Sequence, residues 1–285
     1  MHPSSTRPQL LRGFLVASLL MLASLASVAT ATATPLPTVS ITLSPSSITL
    51  SGPLQSGAVN IVSVAAGGKE PSPGLLLLKP GVSPAEVYAL LDANKVGEEP
   101  NLVSRYASIV FDGETPSPDK NTEVQTDLVP GQYVAVNAEG DKSAKWPRTS
   151  FTVTAAGAPA TLPAAQATER SIDFAFRGPT TLHDGELVRF ENEGYVVHMD
   201  IAFPTSSRAN AQKAVKALLA GKEKAVEKLI AGEPFSFAGP LTSGAYQQET
   251  IIAKPGWYVQ VCFMDTQDGR DHTVLGMERI IKITK

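Results

Sequence analysis

The sequence predicts an all-β fold made of two like β-sandwiches, each carrying a helical insertion. Short runs of alternating apolar and polar residues, separated by turn residues, have the period of half-buried strands. A long segment is also repeated. Phe111-Asp112-Gly113 through Pro130-Gly131-Gln132-Tyr133-Val134-Ala135-Val136-Asn137 is matched, in order and nearly in spacing, by Phe237-Ala238-Gly239 through Pro255-Gly256-Trp257-Tyr258-Val259-Gln260-Val261-Cys262. Between the copies, Ala155 to Thr168 is rich in Ala, Pro and Thr and reads as an extended linker. The expected organisation is a leader over 1–33, a first sandwich over 38–154, a linker over 155–168 and a second sandwich over 169–285. The balance of 43% hydrophobic and 18% charged residues is that of ordinary globular domains, with room for one large or two small ones.

The elements follow in chain order. Arg7 and Arg12 precede an apolar stretch from Gly13 to Ala29, and Ala29-Thr30-Ala31 offers a small-residue cleavage site, the pattern of a secretory signal peptide. No later segment is apolar enough to span a membrane, so the mature protein is expected in the periplasm, in the cell envelope or outside the cell. In the first copy Gly57 to Val62 reads as a strand, and Ser83-Pro84-Ala85-Glu86 is a capping box with proline at the first helical position, opening a helix to about Ala93. In the second copy strands are expected over Ile172–Phe176, Leu187–Glu191, His198–Phe203, Glu249–Ile252, Trp257–Phe263 and Arg279–Thr284. Between Phe203 and Phe237 the period changes: Ala211, Ala214, Val215, Leu218 and Leu219 fall on one helical face, with Gly221 and Gly232 as stops.

Charge narrows the partners. A net charge of −3, with no basic tail and no interleaving of aromatic and basic residues, argues against nucleic acid. The helical insertion over 206–231 is locally basic, with Arg208, Lys213, Lys216, Lys222, Lys224 and Lys228 against Glu223 and Glu227. That pattern describes either a solvated helix face or a docking surface for an acidic redox partner.

Cys262 is the only cysteine, so export into a disulfide-forming compartment cannot give it a partner within the chain. It is a buried small hydrophobe, half of an intermolecular disulfide, or a metal ligand. Its neighbours in sequence bear on the choice. His198 precedes it, and His272 and Met277 follow, giving one thiolate, two imidazoles and one thioether, a donor set that suits copper in an electron-transfer role. Taken singly, His198 could be a strand-edge histidine, His272 a solvated loop residue and Met277 a core gap-filler. Beyond the leader, however, the chain has only His183, His198, His272, Cys262, Met199, Met264 and Met277 of these types, and four of the seven stand in ligand order. His183, Met199 and Met264 read as structural.

Phe190-Glu191-Asn192-Glu193-Gly194-Tyr195-Val196-Val197-His198 resembles the strand and loop that carry the first histidine ligand of plastocyanin-like proteins. Cys262, followed by His272-Thr273-Val274-Leu275-Gly276-Met277, resembles their C-terminal ligand loop. The family is the cupredoxins, blue copper proteins with a Greek-key sandwich. The resemblance implies one mononuclear type 1 copper ion, with His198, Cys262 and His272 as equatorial ligands and Met277 as the axial one, and an electron-transfer function. It extends over residues 169–285 with ligands and over 38–154 as a fold-level echo without them. Two departures stand out. Nine residues separate Cys262 from His272, nearer the spacing in copper nitrite reductases, and Met199 follows His198 where plastocyanins carry an asparagine.

Between Thr38 and Thr154 there is no His, Cys or Met; Asn137 stands where Cys262 stands in the repeat, and Lys69-Glu70-Pro71-Ser72-Pro73 occupies the region of His198. The first copy is therefore expected to be structural. Paired His-x-His motifs, a G-x-S-x-G elbow and an H-E-x-x-H helix are all missing, so no enzyme activity is expected. The function expected is an exported copper-binding electron carrier, with a metal-free interaction or structural module of the cell envelope as the alternative.

Overall fold

The computed structural model describes residues 35–96, 100–113, 115–116, 122–140 and 142–285; the expected leader lies outside them. The first half forms β1 (Thr38–Leu43), β2 (Ile48–Ser51), β3 (Gly57–Ala65), β4 (Pro73–Leu78), β5 (Ala107–Asp112), β6 (Thr122–Leu128), β7 (Gly131–Asn137) and β8 (Arg148–Val153). The second half forms β9 (Ala167–Ile172), β10 (Ala175–Arg177), β11 (Thr181–His183), β12 (Leu187–Asn192), β13 (His198–Thr205), β14 (Phe235–Leu241), β15 (Tyr246–Thr250), β16 (Gly256–Val261) and β17 (Glu278–Thr284).

The sheet order shows the repeat directly. In the first half β2-β1-β3-β6 faces β5-β4-β7-β8; in the second, β10-β9-β12-β15 faces β14-β13-β16-β17-β11. Each strand of the first half has a counterpart in the second, and even the parallel pairing of β1 with β3 recurs as β9 with β12. The protein is thus all-β, with two cupredoxin-like Greek-key sandwiches, as the sequence predicts. Two of the four sheets fuse: β6 meets β15 at the single register pair Gln125↔Gln248, making one eight-stranded sheet. There the Gln248 Nε2 donates to Gln125 Oε1 at 2.9 Å, and each sandwich covers an edge the other would leave open.

Alternation supplies the cores. The first sandwich buries Val39, Ile41, Ile61, Leu75, Phe111 and Tyr133 between its sheets, and the second buries Leu182, Val188, Phe190, Phe237, Ile251 and Ile281. The helical insertions lie at matching places, between β4 and β5 in the first half and between β13 and β14 in the second. In α1 (Pro84–Asp92) the capping box forms as predicted, the Ser83 N–H donating to Glu86 Oε2 at 2.8 Å. In α2 (Arg208–Leu218) the Ser207 Oγ accepts the Asn210 N–H at 3.2 Å, and Ala211 and Ala214 pack on Val259 and Val261. Leu219, expected on that face, is largely exposed because the helix has ended before it. A short α3 (Glu223–Glu227) follows.

Three strand readings need correction. The run Ile172–Phe176 is not one strand: Ile172 ends β9, Asp173-Phe174 turn, with Phe174 at φ +60°, and Ala175 and Phe176 open β10. β14 is unheralded because Pro234, Gly239 and Pro240 break its pattern, as they can on an edge strand. β15 sits three residues earlier than Glu249–Ile252, since its polar Gln247 and Gln248 face the junction between the sandwiches and hide the usual alternation.

Candidate metal centre

The topology brings the four candidate residues to one end of one sheet. His198 opens β13, Cys262 directly follows β16, and His272 and Met277 lie on the loop that leads into β17. Because β13 and β17 both run antiparallel to β16, the start of β13, the end of β16 and the start of β17 coincide. Residues far apart in sequence are neighbours at that end.

Three donor atoms converge. His198 Nδ1 lies 3.2 Å from His272 Nδ1, Cys262 Sγ lies 3.5 Å from His272 Nδ1, and Sγ lies 3.8 Å from His198 Nδ1. All three side chains are buried, and no other group of three metal-ligating His, Cys, Asp or Glu residues this close occurs among the described residues. Imidazole bonds of about 2.05 Å and a thiolate bond of about 2.3 Å, at angles between tetrahedral and trigonal, separate two nitrogens by about 3.3–3.6 Å and a nitrogen from the sulfur by about 3.5–3.8 Å. The observed triangle has that size. Met277 is fully buried in the same cluster as Cys262, with Phe174, Met199 and Met264 packed against it. Its carbonyl accepts the Cys262 N–H at 3.2 Å and its N–H donates to the His272 carbonyl at 2.9 Å, so the main chain ties three of the four residues together. Met199 and Met264, read as structural, line this cluster.

The nine-residue loop is held by its own polar groups. Thr266 and Arg270 close a turn through the Thr266 N–H to the Arg270 carbonyl at 2.9 Å and the Arg270 N–H to Thr266 Oγ1 at 3.0 Å. The His272 N–H donates to the Met264 carbonyl at 2.8 Å, and the Thr273 hydroxyl donates to the Cys262 carbonyl at 2.9 Å. Those bonds fix where His272 starts.

Asp173, expected only as part of a strand, stands beside His198. Its Oδ1 lies 3.4 Å from His198 Nε2 and accepts the Tyr195 N–H at 2.8 Å, which leaves Nδ1 of the same ring aimed at Cys262 and His272. A carboxylate on the outer nitrogen fixes the tautomer and orientation of a ligating histidine. Gly194 makes this approach feasible: a Cβ there would stand 2.6 Å from Asp173 Oδ1 and 2.7 Å from His198 Nε2. The glycine was the only sequence signal available. His272 is enclosed otherwise, with the Phe174 ring packed edge-on, centroids 5.2 Å apart, and its Nε2 buried without a hydrogen-bond partner among the described residues.

Burial sets the protonation. It lowers His198 to about 4, helped by the neighbouring His272 and opposed by Asp173, and it lowers His272 as well, so both rings are neutral near pH 7. It pushes the Cys262 thiol up to about 12, against the pull of N–H groups of Met199 and Met264. Two neutral imidazoles offer free lone pairs, while the thiol holds its proton and would have to lose it to a cation.

Beneath the candidate residues lies a polar layer that strand alternation places there. Asp200 is two residues from His198, Gln260 two from Cys262 and Arg279 two from Met277, all turned into the same sandwich. The Gln260 Nε2 donates to both oxygens of Asp200 at 2.7 and 2.6 Å, the Arg279 Nε donates to Gln260 Oε1 at 2.6 Å, and Arg279 pairs with buried Glu169. Burial raises the Asp200 carboxyl to about 7.

The first sandwich shows the same framework with Asn137 in the place of Cys262. Asn137 is fully buried; its Oδ1 accepts the Ser72 N–H at 2.9 Å, as Cys262 Sγ accepts the Met199 N–H at 3.4 Å, and its Nδ2 donates to the Ser44 carbonyl at 3.2 Å. An amide that satisfies its neighbours leaves no donor atom for a cation.

No protein-family model matches the chain, and no curated protein does. Among solved structures it is similar to an auracyanin from Roseiflexus castenholzii, at 20% identity over 43% of this chain and 100% of that one with a TM-score of 0.25. It is also similar to a Cu-containing nitrite reductase from Thermus scotoductus, at 14% identity over 88% of this chain and 69% of that one with a TM-score of 0.25. A purple cupredoxin from Nitrosopumilus maritimus gives 12% identity over 42% of this chain and 100% of that one, with a TM-score of 0.24. Scores of this size assign nothing; the sandwiches are read from the chain's own sheet order, and the site from its own distances.

Proposed function

We propose that the protein is an exported electron carrier with one mononuclear type 1 copper ion, held by His198, Cys262 and His272 as equatorial ligands and Met277 as the axial one. The observation that carries this reading is the buried triangle of Nδ1, Nδ1 and Sγ atoms at 3.2, 3.5 and 3.8 Å. When bound, copper supplies a one-electron couple. The chain supplies the rest: a dry pocket, a histidine oriented by Asp173, and ligands anchored on paired strands so that little moves between oxidation states. The polar layer of Asp200, Gln260, Arg279 and Glu169 keeps charge close to the site without exposing it to water.

The reading includes three further points. The protein is not an enzyme. Its leader directs it to the periplasm, the cell envelope or the medium; among the described residues no helix is long and apolar enough to cross a membrane. A redox partner with an acidic face docks near 206–231, where Arg208, Lys213, Lys216, Lys222, Lys224 and Lys228 are exposed.

The test is spectroscopic. Cu(II) added to the mature protein should give an intense blue or green thiolate-to-copper absorption, and Cys262→Ser should remove the colour while the fold persists. A colourless wild-type protein that binds Cu(II) no better than Cys262→Ser would sink the proposal in favour of a metal-free interaction module.

A further inference from the structure

Asn101 belongs to the sandwich that has no ligands, yet its side chain reaches both segments that carry them. It lies on the 3₁₀ turn Pro100–Arg105 of the first insertion. Its Oδ1 accepts the N–H of Val197, the residue before His198, at 2.8 Å. Its Nδ2 donates to the carbonyl of Asp265, on the loop between Cys262 and His272, at 3.1 Å. One amide thus spans the two segments whose separation sets the distance between the histidines.

Packing follows the same line. Val197 is fully buried, and it sits not in its own sandwich but in the apolar cluster of the first one, with Leu76, Leu91, Val103 and Val136. Met264 packs against that cluster and also against the cluster of Cys262 and Met277. The Met264 carbonyl in turn receives the His272 N–H at 2.8 Å. The first insertion therefore forms an outer wall of the candidate centre.

We infer that Asn101 is a positioning residue for the metal centre, and that the first sandwich serves to pre-organise the ligand-bearing segments of the second. The inference rests on the copper reading for its spectroscopic part. A loop of nine residues between two ligands has many conformations, and each restraint that orders it before metal arrives lowers the ordering cost left to binding. Within the loop the Thr266–Arg270 turn restrains the tip; Asn101 connects the loop to the His198 segment. Groups that orient metal ligands from outside the coordination sphere typically change affinity by about 10–100-fold when removed.

The experiment compares full mature wild type with Asn101→Ala, which removes both hydrogen bonds, and Asn101→Asp, which can still accept from Val197 but cannot donate to Asp265. The apo proteins are followed by amide hydrogen exchange, and the same proteins by Cu(II) competition and by the energy of the charge-transfer band. In apo Asn101→Ala, exchange at Val197 and across 264–272 should quicken by about tenfold or more, while the core strands of both sandwiches keep their protection. In apo Asn101→Asp, Val197 should stay protected and only 264–272 should loosen. Cu(II) affinity should fall by about 10–100-fold in Asn101→Ala, with a shifted band. If wild type binds no copper, the copper reading fails and the exchange pattern alone decides whether Asn101 ties the two segments together. If Asn101→Ala exchanges like wild type, or loosens the segments with copper affinity and band unchanged, the positioning role is overturned.

Discussion

The Nδ1 atoms of His198 and His272 stand 3.2 Å apart although the two histidines lie 74 positions apart in the chain. Two neutral rings at that distance can make one hydrogen bond, with one nitrogen donating, and a cation between them would replace it with two bonds of better geometry. Asp173 on the outer nitrogen of His198 favours the tautomer in which Nδ1 is free to bind.

Metal binding should therefore release a proton. The Cys262 thiol, raised to about 12 by burial, is protonated at neutral pH and must ionise to ligate. Calorimetry of Cu(II) binding in buffers of different ionisation enthalpy should give about one proton released near pH 7, and the apparent affinity should rise about tenfold per pH unit between about pH 6 and pH 8. His198, lowered to about 4, adds no second proton in that window. A slope of zero would mean that the thiolate is not a ligand.

Asp173 orients His198 without touching the donor triangle, so its removal should weaken the site and leave the sandwich standing. Asp173→Ala is expected to lower Cu(II) affinity by about 10–100-fold, whereas Asp173→Asn, which keeps an acceptor oxygen, should lose less. Gly194→Ala should resemble Asp173→Ala, because its methyl group would occupy the space between the carboxylate and the ring. Competition titrations with a chelator measure all three.

Met277→Leu should keep copper and raise the reduction potential. Leucine fills the same buried space but donates nothing, and losing an axial sulfur disfavours Cu(II) more than Cu(I). Each tenfold loss of preference for the oxidised ion corresponds to about 59 mV. A potential unchanged within error in spectroelectrochemistry would remove Met277 from the ligand set.

Asp200 is a stability liability above neutral pH. Its folded-state carboxyl is raised from 3.8 to about 7, so the native state holds its proton where the unfolded chain has lost it, and stability drops as pH rises from about 4 to 7. Asp200→Asn removes that pH dependence. Its melting temperature should match that of the wild type near pH 4 and exceed it at pH 8, on the scale of a few kcal/mol at most. Equal melting temperatures at pH 8 would show that the carboxylate is ionised at no cost inside the Gln260–Arg279 network.

How far the chain can be read without its fold differs from residue to residue. The repeat ending on Asn137 and Cys262, most of the period-2 strands, the capping box at Ser83 and the order of the candidate residues His198, Cys262, His272 and Met277 are local patterns; the structure forms the repeated sheets and the capping box and brings His198, Cys262 and His272 together. They are legible because backbone periodicity and donor chemistry are properties of neighbouring residues. Asp173 was read as part of a strand and is instead a partner of His198, while Asn101 and the layer of Asp200, Gln260, Arg279 and Glu169 carried no local signal at all. Their roles depend on which strands lie side by side and on how one sandwich packs against the other. Sequence alone determined the candidate donor residues and the two all-β halves; tertiary structure alone decided the spacing, orientation and burial of those residues, because those follow from contacts between residues up to 164 positions apart.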